Sequence, residues 1–89
     1  MVYIITYDLN KIGQNYDALY KKIISLGQTL RPLQNLWLLE SNYEADTIRD
    51  QIKSILDSND CVFVARLYDR KSYSAWMNPE AHKWLETRL

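Results

Sequence analysis

The order of the predicted elements, β-α-β-β-α-β followed by one more helix, predicts an α+β fold of the ferredoxin-like type. Four short segments are rich in β-branched and aromatic residues, and two segments between them repeat apolar residues at helical spacing. The 89 residues suffice for a single domain. We therefore expect a ferredoxin-like sandwich with a four-stranded antiparallel sheet over residues 1–71, and a C-terminal helical extension of the same domain over residues 72–89.

The first half of the chain predicts a strand, a helix and two further strands. Residues 2–9 are β-branched and aromatic, and the polar stretch 10–15 ends that strand. Apolar residues then recur at helical spacing from Tyr16 to Ile24, with Asn15 as a candidate N-cap and Gly27 as the stop. Two short strands are predicted at 28–31 and 35–40. Pro32 lies between them, and this position favours a hairpin connection or a sheet edge.

The second half predicts a helix, a strand and a terminal helix. The S-x-x-E pattern from Ser41 to Glu44 is typical of a capping box. A helix with two different faces follows. The apolar face is formed by Ala45, Ile48, Ile52, Ile55 and Leu56. The solvated face is formed by Asp46, Arg49, Asp50 and Lys53. Residues 57–60 predict a turn, and residues 61–67 predict the fourth strand. The last helix has Asn78 as its cap and Pro79 at its first position, with Ala81, Trp84 and Leu85 on one side.

Both faces of the predicted sheet are apolar, because alternate residues in the first, third and fourth strands are apolar on each side. An antiparallel sheet with one wet face should instead alternate apolar with polar residues. Two helices cover only one face of this fold. Either a partner subunit or the C-terminal segment must cover the other, and we favour the partner. The sequence therefore predicts a homodimer.

Composition narrows the function classes. Eleven basic and eleven acidic residues cancel, and this balance argues against strong non-specific binding to nucleic acid. The single cysteine, Cys61, excludes a disulfide scaffold and a cysteine-rich zinc site, and we expect it to be a small core side chain in a reducing compartment. Neither a signal peptide nor a membrane span is expected. The expected location is cytoplasmic, with no membrane partner.

Asp8 is the candidate metal ligand. It ends the first strand, where antiparallel pairing with the third and fourth strands places Asn35 and Asp60 nearby. One or two carboxylates with neighbouring oxygen ligands suit Mg²⁺. Two copies of Asp8 that meet across a dimer axis would share such an ion for phosphodiester hydrolysis. The alternative is that Asp8 and Asp60 cap turns or helix starts, and spacing alone favours this alternative.

The remaining polar and aromatic candidates carry weaker signals. His82 is the only histidine and has no paired nucleophile or ligand in the sequence. A basic and aromatic group near the end of the fourth strand would suit phosphate and base binding, although a solvated surface is the favoured interpretation; it comprises Arg66, Tyr68, Arg70, Lys71 and Tyr73. The three tryptophans favour core or interface positions. The absence of Walker, nucleophile-elbow and HExxH motifs excludes the corresponding ATPase, serine hydrolase and zincin classes.

The opening segment, Tyr3-Ile4-Ile5-Thr6-Tyr7-Asp8-Leu9-Asn10, resembles the start of the small CRISPR-associated endonucleases of the Cas-two family. It is also similar to the virulence-associated protein D ribonucleases and to the short proteins labelled SinR-like, and the match to this last group looks closest. The resemblance continues through residues 16–19, the aliphatic strand after Asn35, residues 48–50, and Asn59-Asp60 ahead of the fourth strand. It covers about residues 1–68.

The resemblance implies a ferredoxin-like homodimer and a metal-dependent endonuclease acting on RNA or DNA. Asp8 matches the metal-associated aspartate of the family, Tyr7 the aromatic residue before it, and Asn35 a position that often holds a hydroxyl residue. The endonucleases usually carry arginines soon after this aspartate, whereas here Lys11 is the only basic residue between 10 and 16. Two hypotheses follow: a weak Mg²⁺-dependent endonuclease, or a non-catalytic homodimeric interaction or regulatory module on the same scaffold.

Overall fold

The computed structural model describes residues 1–10 and 16–89. These residues form a mixed α+β fold with one four-stranded antiparallel sheet and three α-helices. The elements in chain order are β1 (Val2–Asp8), α1 (Tyr16–Ile24), β2 (Gln28–Leu33), β3 (Leu36–Glu40), α2 (Ala45–Lys53), β4 (Cys61–Leu67) and α3 (Pro79–Glu86), with a short 3₁₀ turn at Arg70–Ser72 before α3.

The strand order in the sheet is β2-β3-β1-β4. Both β1 and β2 run antiparallel to β3, so they run in the same direction and end at the same end of the sheet. At that end Asp8 pairs with Cys61 of β4, and Thr6 pairs with Leu36 of β3. Pro32 was predicted to lie between two strands, but β2 runs through it to Leu33; of the two placements predicted for this proline, it occupies a sheet edge, within a register irregularity.

Helices α1 and α2 cover one face of the sheet. Ile23 and Ile52 are fully buried there, as predicted, whereas Ile24 and Ile55, which the predicted apolar positions also included, are exposed. They belong to a cluster of buried residues that also contains Tyr3, Ile5, Tyr7, Leu19, Leu26, Trp37, Leu39 and Ile48. This cluster is the main core. It includes Tyr7 at the end of β1 and Trp37 at the start of β3, so these two strand ends are packed against it.

The C-terminal segment covers part of the second face. Leu85 of α3 is buried with Val2, Leu38 and Leu67 near the start of β1. The helix begins as predicted: the Asn78 side chain accepts a hydrogen bond from the Ala81 N–H at 2.9 Å, and Pro79 occupies the first position. The sequence left open whether a partner subunit or the C-terminal segment covers this face. At this end of the sheet, the C-terminal segment of the same chain covers it.

The other end of the second face is open. Phe63 is 61% exposed and Trp76 is 98% exposed, and Leu33 and Cys61 are also exposed there. We call these four residues the open patch. The prediction that Cys61 is a core residue is wrong, because no described residue of the C-terminal segment packs over Cys61 at the start of the edge strand β4. None of the helices in the described part of the chain is long and apolar enough to cross a membrane.

Three local predictions for the helix ends have different outcomes. The capping box is wrong: Glu44 is the N-cap of α2 without a side-chain cap bond, and the Ser41 hydroxyl accepts from the Tyr43 N–H at 3.2 Å instead. Helix α1 ends at Ile24, so Gly27 is not its immediate stop. A Cβ atom at Gly27 would collide with the backbone carbonyl of Glu40, so close strand approach explains this glycine. The predicted N-cap Asn15 lies outside the described residues.

Candidate functional site

A cleft of about 390 Å³ lies at the end of the sheet where β1 and β2 both terminate. It contains the three predicted site residues, because β1 contributes Tyr7 and Asp8 and the β2–β3 turn contributes Asn35. The full lining comprises Tyr7, Asp8, Leu9, Tyr16, Tyr20, Arg31, Gln34 and Asn35. The topology thus brings together one carboxylate, one guanidinium, two carboxamides and three phenol rings.

Asp8 is exposed at the mouth of this cleft. Asp8 also borders a shallow groove between the end of β1 and the start of β4, which is lined by Thr6, Tyr7, Cys61, Val62 and Phe63 as well. Within residues 1–10 and 16–89, no group forms a hydrogen bond or an ion pair with the Asp8 carboxylate. Asp8 therefore lies between the cleft and the open patch, with its carboxylate accessible from both.

The backbone of Asn35 is hydrogen-bonded to β1. Its carbonyl oxygen accepts a hydrogen bond of 2.8 Å from the Thr6 hydroxyl, which ties the β2–β3 turn to β1. The neighbouring carbonyl of Gln34 accepts from the Arg31 Nε at 2.9 Å and also from the Nη2 of the same guanidinium. These bonds leave the carboxamide side chains of Gln34 and Asn35 exposed on the rim of the cleft.

Tyr7 forms the buried wall of the cleft. Its hydroxyl accepts a hydrogen bond of 3.3 Å from the Trp37 indole N–H. Burial raises the pKa of the Tyr7 phenol above its ordinary value of about 10, and neighbouring Tyr20 adds to the rise. The phenol is therefore neutral at physiological pH. It can hold a position by hydrogen bonding, but it is not a general base in that range.

Asp60 lies close to Asp8 in the sheet but has a structural role. It directly precedes Cys61, the strand partner of Asp8. Its two carboxylate oxygens accept from the Asn10 N–H at 3.0 Å and from the Asp57 N–H at 2.9 Å. The turn-capping interpretation therefore describes Asp60, whose carboxylate joins the segment after β1 to the turn before β4.

The donor set suits a weakly held divalent cation. Among the described residues, no group of three His, Cys, Asp or Glu side chains could enclose a metal ion. Mg²⁺, however, is often bound by only one or two carboxylates and keeps several of its waters. The Asp8 carboxylate and the carboxamide oxygen of Asn35 line one cleft and are oxygen ligands of the required kind.

The other sequence candidates lie away from this cleft. Leu67 pairs with Val2, so the basic and aromatic group after β4 is at the opposite end of the sheet. There the Arg66 guanidinium lies 4.4 Å from the centre of the Tyr68 ring. The Nε2 atom of His82 accepts from the Met77 N–H at 3.1 Å, so this histidine has a local structural role at the start of α3.

The sequence did not point to the aromatic and basic residues that complete the cleft, which are Tyr16, Tyr20 and Arg31. The helical spacing of Tyr16 and Tyr20 predicted only a helix face, and the position of Arg31 predicted only a strand. The Arg31 guanidinium lies 4.5 Å from the ring centre of Tyr20 and 5.7 Å from that of Trp37, which are cation–π distances.

Comparisons of the chain with protein-family models, curated proteins and solved structures found no match.

Proposed function

We propose that the chain is a homodimeric ferredoxin-like protein, similar to the Cas-two endonucleases, that cleaves RNA or DNA weakly in an Mg²⁺-dependent reaction. The observation that carries the proposal is that one cleft contains Tyr7, Asp8 and Asn35 together with an arginine. The strand order β2-β3-β1-β4 supports the ferredoxin-like assignment, because it places the first strand between the third and the fourth.

Each cleft residue has a role in this proposal. Asp8 and the Asn35 carboxamide would hold the cation, and Arg31 would bind the substrate phosphate through the donors that the Gln34 carbonyl leaves unused. Tyr7 stays protonated and supports the cleft wall. When bound, the cation supplies Lewis-acid stabilisation of the charge that develops on the phosphate. One carboxylate would hold Mg²⁺ only weakly, so we expect low activity.

Homodimerisation would complete the site. Thr6, Asp8 and Phe63 lie on the same sheet face, since strand residues alternate between the two faces and Thr6 pairs with Phe63. A two-fold symmetric contact uses the same surface on both copies. With the two-fold axis close to Asp8, contact through the open patch would bring the two Asp8 carboxylates toward each other, and a shared cation would offset their mutual repulsion.

The alternative is a non-catalytic homodimeric interaction or regulatory module on the same scaffold. The observation that favours it is the sparse donor set, since no three-residue metal-binding group exists among residues 1–10 and 16–89. The exposed apolar side chains of the open patch serve this alternative equally well. The two functions differ in whether the Asp8 charge is needed for chemistry, and this difference is testable.

Replacing Asp8 with Asn is expected to abolish metal-dependent cleavage. The substitution keeps the shape of the side chain but removes the charge that holds the cation. We expect the Tm to be equal or slightly higher than that of wild type, because repulsion between two carboxylates is relieved. Cleavage of labelled RNA and DNA is measured with Mg²⁺ and with Mn²⁺, and thermal melts are recorded with and without each metal.

Asp46→Asn is the matched control, because Asp46 is an exposed aspartate on the solvated face of α2, where it pairs with Arg49. It should leave cleavage unchanged. A capping role for Asp8, which the lack of a hydrogen bond to its carboxylate among the described residues speaks against, would instead cost about 1 kcal/mol of stability in Asp8→Ala and little in Asp8→Asn. Wild-type protein that shows neither cleavage nor a metal-dependent shift in Tm would refute the nuclease proposal and leave the interaction module.

Sedimentation at micromolar concentration is expected to give about twice the chain mass of 10.6 kDa. The exposed rings of Phe63 and Trp76 provide apolar area that a second copy would bury. Phe63→Arg should shift the population to monomer, because a charged guanidinium would replace an apolar ring in the contact. Ile24→Arg is the control, since Ile24 is exposed on the helical layer. A wild-type monomer, or equal effects of both substitutions, would contradict dimerisation through this patch.

A further inference from the structure

Three aromatic rings form a continuous file from the core to the cleft. The ring centres of Trp37 and Tyr20 are 5.5 Å apart, and those of Tyr20 and Tyr16 are 5.9 Å apart. Trp37 is buried, Tyr20 is half-buried, and Tyr16 is 41% exposed. Contacts of this length between tilted rings are favourable. The file therefore ends in an accessible ring on the wall of the cleft, supported from behind by two others.

Arg31 lies beside this file in a fixed orientation. Its guanidinium packs over the Tyr20 ring, and two of its nitrogen atoms donate to the Gln34 carbonyl. A guanidinium has five N–H donors, so the remaining ones are free for a ligand. No carboxylate of the described residues forms an ion pair with Arg31. The cleft therefore contains a positioned guanidinium that is not ion-paired with any described carboxylate, although Asp8 lines the same cleft.

We infer that this cleft binds one unpaired nucleotide, with its base stacked on Tyr16 and its phosphate held by Arg31. Stacking on an aromatic ring requires an exposed base face, which a base inside a duplex does not offer. The guanidinium supplies bidentate donors for the phosphate, and the exposed carboxamides of Gln34 and Asn35 supply donors and acceptors for base edges. A volume of about 390 Å³ is within the usual range for small-molecule sites.

This inference rests on the proposed function and specifies its substrate: a single strand, bound through Tyr16 and Arg31, in preference to a duplex. It assigns binding roles to two residues that the cleavage proposal does not need as metal ligands. It also favours the cleft, rather than the basic and aromatic pair Arg66 and Tyr68, as the nucleotide-binding surface. That pair has a single exposed ring without a supporting file and lies at the opposite end of the sheet from Asp8.

The test measures binding without chemistry. A short fluorescently labelled RNA strand of mixed sequence, its DNA counterpart, and each annealed to its complement are titrated with the full chain in EDTA, and anisotropy is recorded. Wild type should bind the single strands more tightly than the duplexes. Tyr16→Ala should weaken single-strand binding about 5- to 100-fold. Tyr16→Phe, which keeps the ring, should bind within about twofold of wild type.

Further variants separate the ring, the charge and the rival surface. Arg31→Gln should weaken binding and reduce its dependence on salt, because one phosphate contact is lost. Tyr43→Ala is the matched control, since Tyr43 is an exposed tyrosine remote from the cleft, and it should change nothing. The inference is overturned if Tyr68→Ala weakens binding while Tyr16→Ala does not, if duplexes bind as tightly as single strands, or if wild type binds neither.

The Asp8→Asn variant keeps the failure of this inference distinct from the failure of the nuclease proposal. It should bind single strands at least as tightly as wild type, because a negative charge near the phosphate is removed. Single-strand binding through Tyr16 without any cleavage would refute the nuclease proposal and support the nucleotide site. Cleavage that is insensitive to Tyr16→Ala would support the nuclease and refute the nucleotide site.

Discussion

Ile23→Ala is expected to lower the free energy of unfolding by about 2–5 kcal/mol, which is the usual range for a buried isoleucine truncated to alanine. Ile23 is 0% exposed and packs in the core between α1 and the sheet. The loss combines the transfer free energy of the removed methyl and methylene groups with the cavity that rigid strands cannot fill. Chemical denaturation, with the midpoint and the slope both fitted, measures the change. Ile52→Ala in α2 should give a loss in the same range.

The control for this prediction is the next residue in the same helix. Ile24 is 54% exposed, so Ile24→Ala removes the same atoms with little change in burial. We expect a change within about 0.5 kcal/mol. Equal losses at the two positions, or a loss below about 0.5 kcal/mol at Ile23, would mean that α1 presents a different face to the sheet.

Leu85→Ala is also expected to cost about 2–5 kcal/mol, because this residue is the buried contact of α3 with the second sheet face. The result would show that the C-terminal segment is part of the folded domain in solution. Lys83→Ala on the exposed side of the same helix is the control and should be nearly neutral. If Leu85→Ala is neutral, α3 does not pack on the sheet, and another surface must cover Val2, Leu38 and Leu67.

Local sequence signals were enough to predict most of the elements. The turn residues 57–60 and the apolar run after them set the bounds of β4, which the structure confirms as Cys61–Leu67. Asn78 and Pro79 set the start of α3 because both act within a single helical turn. In each case the residues that determine the element lie within it or next to it. The α+β class with a four-stranded antiparallel sheet followed from the same signals.

The errors have long-range causes. Nothing near Cys61 in the sequence reveals which part of the sheet the C-terminal segment covers, so its exposure was not predictable. The S-x-x-E pattern failed because Ser41 is buried at the end of β3, where its backbone N–H donates to the Met1 carbonyl at 2.9 Å. Gly27 was assigned to a helix stop, although the reason for a glycine there is the carbonyl of Glu40 in another strand. Each of these residues responds to a partner distant in sequence.

Part of the candidate site could be predicted from the sequence, and part could not. Asp8 and Asn35 follow from the rule that antiparallel neighbours bring strand ends and strand starts together. The same rule contained a signal for Arg31: β1 and β2 are both antiparallel to β3, so the end of β2 must lie near the end of β1. Tyr16 and Tyr20 were not predictable in this way, because a helix periodicity identifies a face but not the strand end that the face meets.

The exposure of Cys61 has a practical consequence for studying assembly. It is the only thiol of the chain, and it lies in the open patch opposite Asp8. A single accessible sulfur makes the native sequence a ready-made chemical probe, since a maleimide dye can label one defined position without any substitution. The labelling rate would fall with rising protein concentration if a second copy shields the thiol, and it would stay constant if the patch remains in solvent.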